Sequence, residues 1–251
     1  MSGRAIIQQE GGQFVNANGF TAWQGFVERG YEVRCVDWAT MDAGAVAVAP
    51  EVVVAGSVRF VRAALARLGV EPRPLGYPAA LAGFLGRRTW ETTWAAVRAG
   101  VDGPGGPVFV KPRDHDKAFT GHVVAAFRNL IATARWPDAM PLIAAEPVAF
   151  ASEWRYFVRR GAVVGVGHAK GDPLLAPDPA VVRDAVAAYA PDAPAAYGLD
   201  LGVTEGGATL LVEVNEGFAL GCHGLGPLAY SAFLRERWDE LVAPLLPGRG
   251  D

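Results

Sequence analysis

The sequence predicts an α+β protein, in which an N-terminal α/β unit precedes a region of mixed strands and helices. Short apolar strands alternate with helical periodicity over about residues 1–75. The Pro-rich connector Pro72–Pro78 marks the end of this unit. Further on, Asp200–Gly217 has the alternation and the glycine turn of a β-hairpin. We therefore predict domains at 1–75 and 76–246, followed by a frayed tail at 247–251.

Composition excludes several classes of protein. Of the 251 residues, 51% are hydrophobic and 20% are charged, so a sizeable core is expected. The net charge of -3 gives no electrostatic case for nucleic acid or an anionic membrane as a partner. Cys35 and Cys222 are the only cysteines and lie far apart, which favours a reducing, cytoplasmic setting. No signal-peptide core and no membrane-spanning apolar run is recognisable.

The predicted elements of the N-terminal unit form a β-α-β-β-α series. Ser57 is a natural N-cap for its second helix, and Gly69 a natural stop. No Gly-x-Gly-x-x-Gly follows a strand, so a dinucleotide-binding domain is not predicted. The strands are Arg4–Gln8, Tyr31–Val36, Ala45–Ala49 and Val52–Ala55, and the helices are Phe20–Arg29 and Ser57–Leu68.

The second region mixes strands and helices without an internal repeat. Its predicted helices are Pro78–Leu85, Thr89–Ala99, Phe127–Arg135, Pro179–Ala190 and Pro227–Leu241. Its predicted strands are Val108–Pro112, Gly121–Ala126, Leu142–Val148, Glu153–Val158 and Ala162–His168, besides the two strands of the hairpin.

The hairpin carries the most specific chemical pattern in the chain. Alternation along its second strand puts Glu213 and Asn215 on one face, with Leu211, and the pairing of the strands brings Asp200 beside them. Two carboxylates and an amide oxygen on a rigid sheet suit Mg²⁺, which commonly takes one or two carboxylates plus substrate phosphates. The alternative interpretation is a sheet edge that happens to be acidic.

Several cations stand where phosphate contacts are expected. Lys111 ends an apolar strand, Lys117 lies in the loop that follows, Arg87 and Arg88 form a basic pair upstream, and Lys170 follows a later strand. A lysine on a flexible stem suits phosphate oxygens. Taken alone, each of these residues is more typical of a solvated surface cation.

One strand bears charges that face the same way. Glu153, Arg155 and Phe157 alternate onto one face, and burying that face in a cleft is costly unless the charges pair or a ligand uses them. No motif for a protein nucleophile or a zinc site is present. We interpret the adjacent Cys222 and His223 as structural residues.

The order of these motifs resembles the ATP-grasp superfamily from roughly Leu75 to Leu246. Val-Phe-Val-Lys111-Pro is similar to the strand-end lysine of that family, and Ala-Glu146-Pro-Val148 to its adenine-contacting hinge. The segment Glu153-Trp-Arg155-Tyr-Phe-Val resembles the one whose glutamate contacts the ribose. Asp200, Glu213 and Asn215 resemble the metal triad in type and order. Glu-Trp-Arg-Tyr-Phe-Val and Glu-Val-Asn-Glu-Gly-Phe-Ala-Leu-Gly look most like the R-two-K clade.

The sequence departs from the family pattern at two positions that bear on chemistry. Many members carry a lysine in the helical region before the strand lysine, and Arg87 or Arg88 occupies that neighbourhood here. Many members also carry an arginine two residues before the metal aspartate, where this chain has Gly198. The resemblance implies that Arg155 or Lys170 supplies the missing catalytic charge.

The resemblance implies two α+β subdomains that clamp ATP and Mg²⁺. It implies a carboxylate-amine ligase that makes an acyl phosphate and then an amide, acting on an amino acid, a peptide or a protein. An ATP-dependent kinase and a non-catalytic, regulatory nucleotide-binding protein remain alternatives, as does a scaffold without a ligand. The sequence predicts no oligomeric state.

Overall fold

The computed structural model describes residues 3–101, 103, 106–114 and 118–246. The predicted phosphate contact Lys117 and the predicted frayed tail 247–251 lie outside these residues. The helices are α1 (Ala17–Glu28), α2 (Trp38–Asp42), α3 (Val58–Arg67), α4 (Trp94–Gly100), α5 (Pro179–Tyr189) and α6 (Pro227–Val242). Short 3-10 helices cover Ala79–Phe84, Phe127–Thr133 and Ala243–Leu245. The strands are β1 (Arg4–Gln8), β2 (Glu32–Val36), β3 (Val52–Ala55), β4 (Thr89–Thr93), β5 (Val108–Pro112), β6 (His122–Val124), β7 (Pro141–Ala145), β8 (Phe150–Arg159), β9 (Ala162–Gly171), β10 (Ala196–Thr204) and β11 (Thr209–Glu216).

The N-terminal sheet is parallel, with the strand order β2-β1-β3. Helix α1 begins at Ala17, three residues earlier than predicted, because the Asn16 side chain accepts hydrogen bonds from the first-turn N–H groups. The predicted strand Ala45–Ala49 is wrong. Only Val46 in this run is buried, and it reaches the core from a loop, while α2 was missed.

The predicted helix Thr89–Ala99 divides into a strand and a helix. Thr89–Thr93 forms β4, which pairs antiparallel with β7, as suits a run rich in β-branched threonine. The Thr93 hydroxyl then accepts a hydrogen bond from Ala96 N and caps α4.

The central sheet is antiparallel, with the strand order β11-β10-β8-β9. Arg160 and Gly161 form the predicted turn between β8 and β9, and both have positive φ, at 48° and 73°. One face of the sheet is apolar and packs against α5 and the first 3-10 helix. The opposite face carries Glu153, Arg155 and Asp200, since side chains two apart on a strand share a face.

A β-bulge at Val212 sets the register of the hairpin. Asp200 lies opposite Glu213, but the next pair is Leu201 with Leu211, so one residue of β11 has no partner. The extra residue turns Leu211 onto the apolar face with Val214, where both are buried. The prediction that Leu211 shares the face of Glu213 is therefore wrong.

The third sheet has the strand order β4-β7-β5-β6 and holds Lys111 near the end of β5. It has its own apolar cluster, which includes Trp94, Val110 and Leu142. Strand β7 ends at Ala145, so Val148 lies beyond it rather than within the predicted strand.

Helix α6 joins the C-terminal part of the chain to the N-terminal sheet. Its residues Phe233, Leu234 and Trp238 belong to the same apolar cluster as β1 and β3. No Cβ fits at Gly25 of α1, because it would lie 2.0 Å from the Pro227 carbonyl oxygen, so the two helices touch through backbone. The domain limits 1–75 and 76–246 stay a prediction. No helix in the described ranges has the length and apolarity that a membrane crossing requires.

Candidate active site

The structure brings Asp200, Glu213 and Asn215 together on the polar face of the central sheet. The Asn215 Nδ2 donates to Asp200 Oδ2 at 2.9 Å and to Glu213 Oε1 at 3.1 Å. The cross-strand pair of Asp200 with Glu213 explains this closeness, and the bulge at Val212 aims Glu213 at the same point. Two carboxylates and an amide thus converge on one small volume.

Arg155 completes this cluster from the neighbouring strand. Its Nε and Nη2 donate to the two Asp200 oxygens at 2.8 and 2.6 Å, which is a bidentate ion pair. Asp200 is only 7% exposed. Burial raises the pKa of the Asp200 carboxyl, while Arg155 lowers it and the nearby Glu213 and Glu153 raise it further. A buried carboxylate in this position needs a cation beside it.

Lys111 supplies a second cation from the third sheet. Its Nζ lies 3.1 Å from Glu213 Oε2, and its side chain is only 11% exposed. The ammonium also sits 3.9 Å from the centroid of the Tyr77 ring, within the range of a cation–π contact. Two cations from two sheets therefore balance the two carboxylates of the cluster.

Arg87 has a structural position that the sequence did not reveal. Its guanidinium donates to the carbonyls of Leu211 and Val212 at 2.7 and 3.0 Å, and to Leu85 O and the Tyr77 hydroxyl. These are the carbonyls of the bulge. Arg87 therefore holds the bulge that orients Glu213. The predicted contact of Arg87 with a phosphate stays a prediction.

The other predicted contacts within the described residues make no hydrogen bond or ion pair with the cluster. Arg88 and Glu146 pair with each other at the surface, with Nε to Oε1 at 3.4 Å. Lys170 lies 3.5 Å from Glu153 across β8 and β9, so Glu153 does not pair with Arg155. These residues and Val148 do not line either of the two cavities described below.

An arginine at position 198, where the family pattern places one, would require the Leu220 side chain to move. A Cβ at this position would lie 2.6 Å from Leu220 Cδ2. Arg155 lies opposite Asp200 on β8, two residue pairs away from the pair of Gly198 with Phe157. Of the two predicted substitutes for the missing charge, Arg155 touches the carboxylate cluster, whereas Lys170 pairs with Glu153.

A cavity of about 1160 Å³ borders the cluster, and we call it the lysine cavity. It lies between the connector before the first 3-10 helix, the end of β5 and the strand β11. Its walls include Lys111, Glu213 and Asn215, together with Tyr77 and Gly121. Its volume suits a ligand larger than a single amino acid.

A second cavity of about 760 Å³ lies at the carboxyl ends of β1 and β3, and we call it the arginine cavity. Arg59, Arg62 and Arg155 contribute to its wall. Since Arg155 also binds Asp200, this cavity and the carboxylate cluster share one side chain. Carboxyl ends of parallel strands are a common place for ligands.

His223 lies on the wall of the arginine cavity, although the sequence suggested only a structural role. Its Nε2 is 3.2 Å from Arg155 Nη1. Burial, then the Arg155 charge, lowers the pKa of this imidazole, which leaves it neutral and able to accept from Arg155. Its φ of 40° is unusual outside glycine, and such conformations concentrate at functional sites. Sequence spacing alone gave no signal for it.

The chemistry of the cluster fits a hard divalent cation. Asp200 and Glu213 offer carboxylate oxygens. A half-turn of the Asn215 amide group would direct its Oδ1, instead of its Nδ2, toward the two carboxylates. The hydrogen-bonding partners around the amide decide which of these two orientations it takes. Within the described ranges, no group of three or more His, Cys, Asp or Glu side chains forms a metal-binding arrangement. A cation here would thus rely on two carboxylates, one amide and oxygens of a ligand.

A family model for an ATP-grasp domain, family 2 of the R-two-K clade, matches residues 84–233. The match covers both antiparallel sheets and reaches into α6. No curated protein matches the chain significantly.

Solved structures with a similar fold span nearly the whole chain. D-cycloserine synthetase DcsG aligns with a TM-score of 0.60 at 16% identity, over 94% of this chain and 100% of that one. D-alanine–D-alanine ligase from Bacillus anthracis, complexed with ATP, aligns with a TM-score of 0.53 at 14% identity, over 97% and 98%. The ATP-grasp ligase PsnB, complexed with a minimal precursor, aligns with 0.53 at 14%, over 97% and 99%. At these identities the likeness concerns the fold.

Proposed function

Because the chain belongs to the ATP-grasp superfamily, in family 2 of its R-two-K clade, we propose that it is an ATP- and Mg²⁺-dependent carboxylate-amine ligase. The observation that carries the proposal is the convergence of Asp200, Glu213 and Asn215 with two cations from different strands. The similar folds of two ligases and a synthetase support the same class of reaction. The substrates are a carboxylate and an amine, and an amino acid, a peptide or a protein can carry either group.

Bound MgATP would supply the phosphoryl group that activates the carboxylate as an acyl phosphate. Asp200, Glu213 and the Asn215 amide would hold the cation. Lys111, which contacts Glu213 in this structure, would turn its ammonium to an incoming phosphate oxygen. The side chain has only to exchange one anionic partner for another.

Arg155 would act on the substrate side of the same cluster. Its Nε and Nη2 are bound to Asp200, whereas Nη1 points to His223 at the wall of the arginine cavity. A guanidinium in this position can hold the substrate carboxylate and stabilise the negative charge that develops on it. No protein nucleophile is needed, because positioning and electrostatic stabilisation carry most of such a reaction.

Turnover tests the proposal directly. ADP release would be followed with ATP and Mg²⁺ across a panel of carboxylates, amino acids and short peptides, paired with amines. We expect one pair to stimulate ADP release and Glu213→Gln to reduce it by about a hundredfold or more, since a ligand to the charge-neutralising cation is lost. Glu205→Gln, in the turn of the same hairpin, is the matched control and should leave the rate unchanged.

Other outcomes would assign another function. Phosphorylation of a substrate without amide formation would indicate a kinase. Nucleotide binding without any turnover over the whole panel would indicate either a protein substrate, which the panel does not contain, or a regulatory function. Equal rates for Glu213→Gln and the wild type would contradict the role of the carboxylate cluster.

A further inference from the structure

We propose that the arginine cavity binds an acid with two anionic groups and no free ammonium group, which is the dicarboxylate class. The inference rests on the proposed function, since one carboxylate is the group that Arg155 holds for activation. The second anionic group lies beside Arg59, which lines the same cavity from α3. The class follows from the polar groups that the cavity offers.

Amide side chains line the cavity, and each of their oxygen atoms already accepts a hydrogen bond from a backbone N–H group. The Gln8 Oε1 accepts from Ser57 N at 2.8 Å, the Asn16 Oδ1 from Asn18 N at 3.0 Å, and the Asn18 Oδ1 from Cys222 N at 2.9 Å. The Ser57 hydroxyl oxygen likewise accepts from Phe60 N. The Gln8 Nε2 donates to Glu10 Oε1 at 3.0 Å and keeps one further N–H. The N–H groups of the amide side chains can therefore donate to a ligand, which favours a ligand rich in acceptors.

The charge of the wall favours an anion. Arg59, Arg62 and Arg155 line the cavity, and none of the described residues on its wall is an aspartate or a glutamate. Arg155 is balanced by Asp200, while the Arg59 guanidinium lies 3.7 Å from the centroid of the Trp38 ring and makes no ion pair within the described part of the chain. The wall thus has a surplus of positive charge, and a ligand ammonium would find no carboxylate there.

Two helices add to the positive electrostatic potential in the cavity. The N-terminal residues of α1 and α3 border the cavity, and neither helix has an acidic residue in its first turn. The partial positive charge of each helix end is therefore not neutralised by the chain itself. The partial positive charge of the two helix ends adds to the full positive charge of the arginine side chains.

The two cations lie on different elements of the wall. Arg155 projects from β8 beside the carboxylate cluster, and Arg59 belongs to the first turn of α3. A volume of about 760 Å³ is within the usual range for a small-molecule site. One anionic group of a short dicarboxylate would lie at each arginine, and the activated end would face the phosphate donor.

Equilibrium binding tests the inference without depending on turnover. Succinate, glutarate and adipate would be titrated calorimetrically into the full chain with Mg²⁺ and a non-hydrolysable ATP analogue. Glutaramate removes one charge from glutarate at constant shape, and L-glutamate adds an ammonium group. We expect at least one dicarboxylate to bind about tenfold or more tightly than the monoamide, which loses a charge-assisted hydrogen bond, and than the ammonium-bearing analogue, whose ammonium finds no carboxylate on the wall.

Variants locate the second anionic group. Arg59→Gln should weaken binding of the dicarboxylate about tenfold. The variant should then bind the dicarboxylate and the monoamide with equal affinity, since the Arg59 guanidinium is the group that distinguishes a second carboxylate from an amide. Arg59→Lys should recover part of the affinity. Arg183→Gln, on α5 at the other face of the central sheet, is the charge-matched control and should bind like the wild type.

The results separate this inference from the proposed function. Equal binding of dicarboxylate, monoamide and amino acid, or no binding of any dicarboxylate, would overturn it. If a simple amino acid stimulates ADP release while no dicarboxylate binds, the ligase stands and the inference fails. Selective dicarboxylate binding that depends on Arg59 supports the inference even if no amine yields ADP.

Discussion

At the scale of single residues, two buried tyrosines differ in their hydrogen bonds. The Tyr230 hydroxyl donates to Leu220 O at 2.6 Å, whereas the Tyr197 hydroxyl is buried and makes no hydrogen bond within the described residues. Burial raises the pKa of both phenols. Removing an unsatisfied buried hydroxyl is neutral or favourable, while removing a bonded one leaves its partner unpaired.

We therefore expect Tyr197→Phe to keep or raise the free energy of unfolding, by up to about 1 kcal/mol, and Tyr230→Phe to lower it by about 1 kcal/mol. Urea unfolding of both variants and of the wild type measures the difference. If Tyr197→Phe lowers the free energy of unfolding as much as Tyr230→Phe does, the Tyr197 hydroxyl has a hydrogen-bonding partner, for example a buried water molecule.

At the scale of elements, the bulge in β11 is the feature that orients the site. Alternation predicted that Glu213 and Asn215 share a face, and they do. The alternation pattern gave the wrong face for Leu211, because the bulge depends on tertiary contacts that cannot be predicted from the local sequence. Arg87, about 125 residues upstream, donates to the carbonyls on both sides of this irregularity.

We predict that Arg87→Gln lowers the free energy of unfolding by about 2–3 kcal/mol, because several hydrogen bonds from a charged donor are lost. It should also weaken the response to Mg²⁺, since Glu213 would lose its orientation. Chemical unfolding and Mg²⁺ titration with ATP measure the two effects. The control is Arg88→Gln.

Arg88 sits in the adjacent position, and its pair with Glu146 is largely exposed. Its replacement should change stability by no more than about 0.5 kcal/mol, as is usual for exposed ion pairs. Equal effects of the two variants would contradict the assignment of Arg87 to the bulge.

At the scale of the molecule, sequence patterns predicted the α+β class and most strands but not how the sheets meet. Lys111 and Glu213 come from different sheets, about a hundred positions apart, and their contact follows from tertiary packing. The same holds for Arg155 and His223, since neither alternation nor spacing relates β8 to the loop before α6. The family resemblance supplied the order of the motifs, and the structure supplied their distances.

The central claim is that Asp200, Glu213 and Asn215 hold the cation of MgATP. Thermal unfolding with ATP, with and without Mg²⁺, tests it most directly, because a ligand that binds only the folded state raises its stability. At ligand concentrations about a hundredfold above Kd, the gain is about 2.7 kcal/mol, or several degrees in Tm. We predict a Mg²⁺-dependent rise in Tm for the wild type and for Glu205→Gln, and its loss in Glu213→Gln. The same Mg²⁺-dependent rise in Glu213→Gln, or none in the wild type, would contradict the claim.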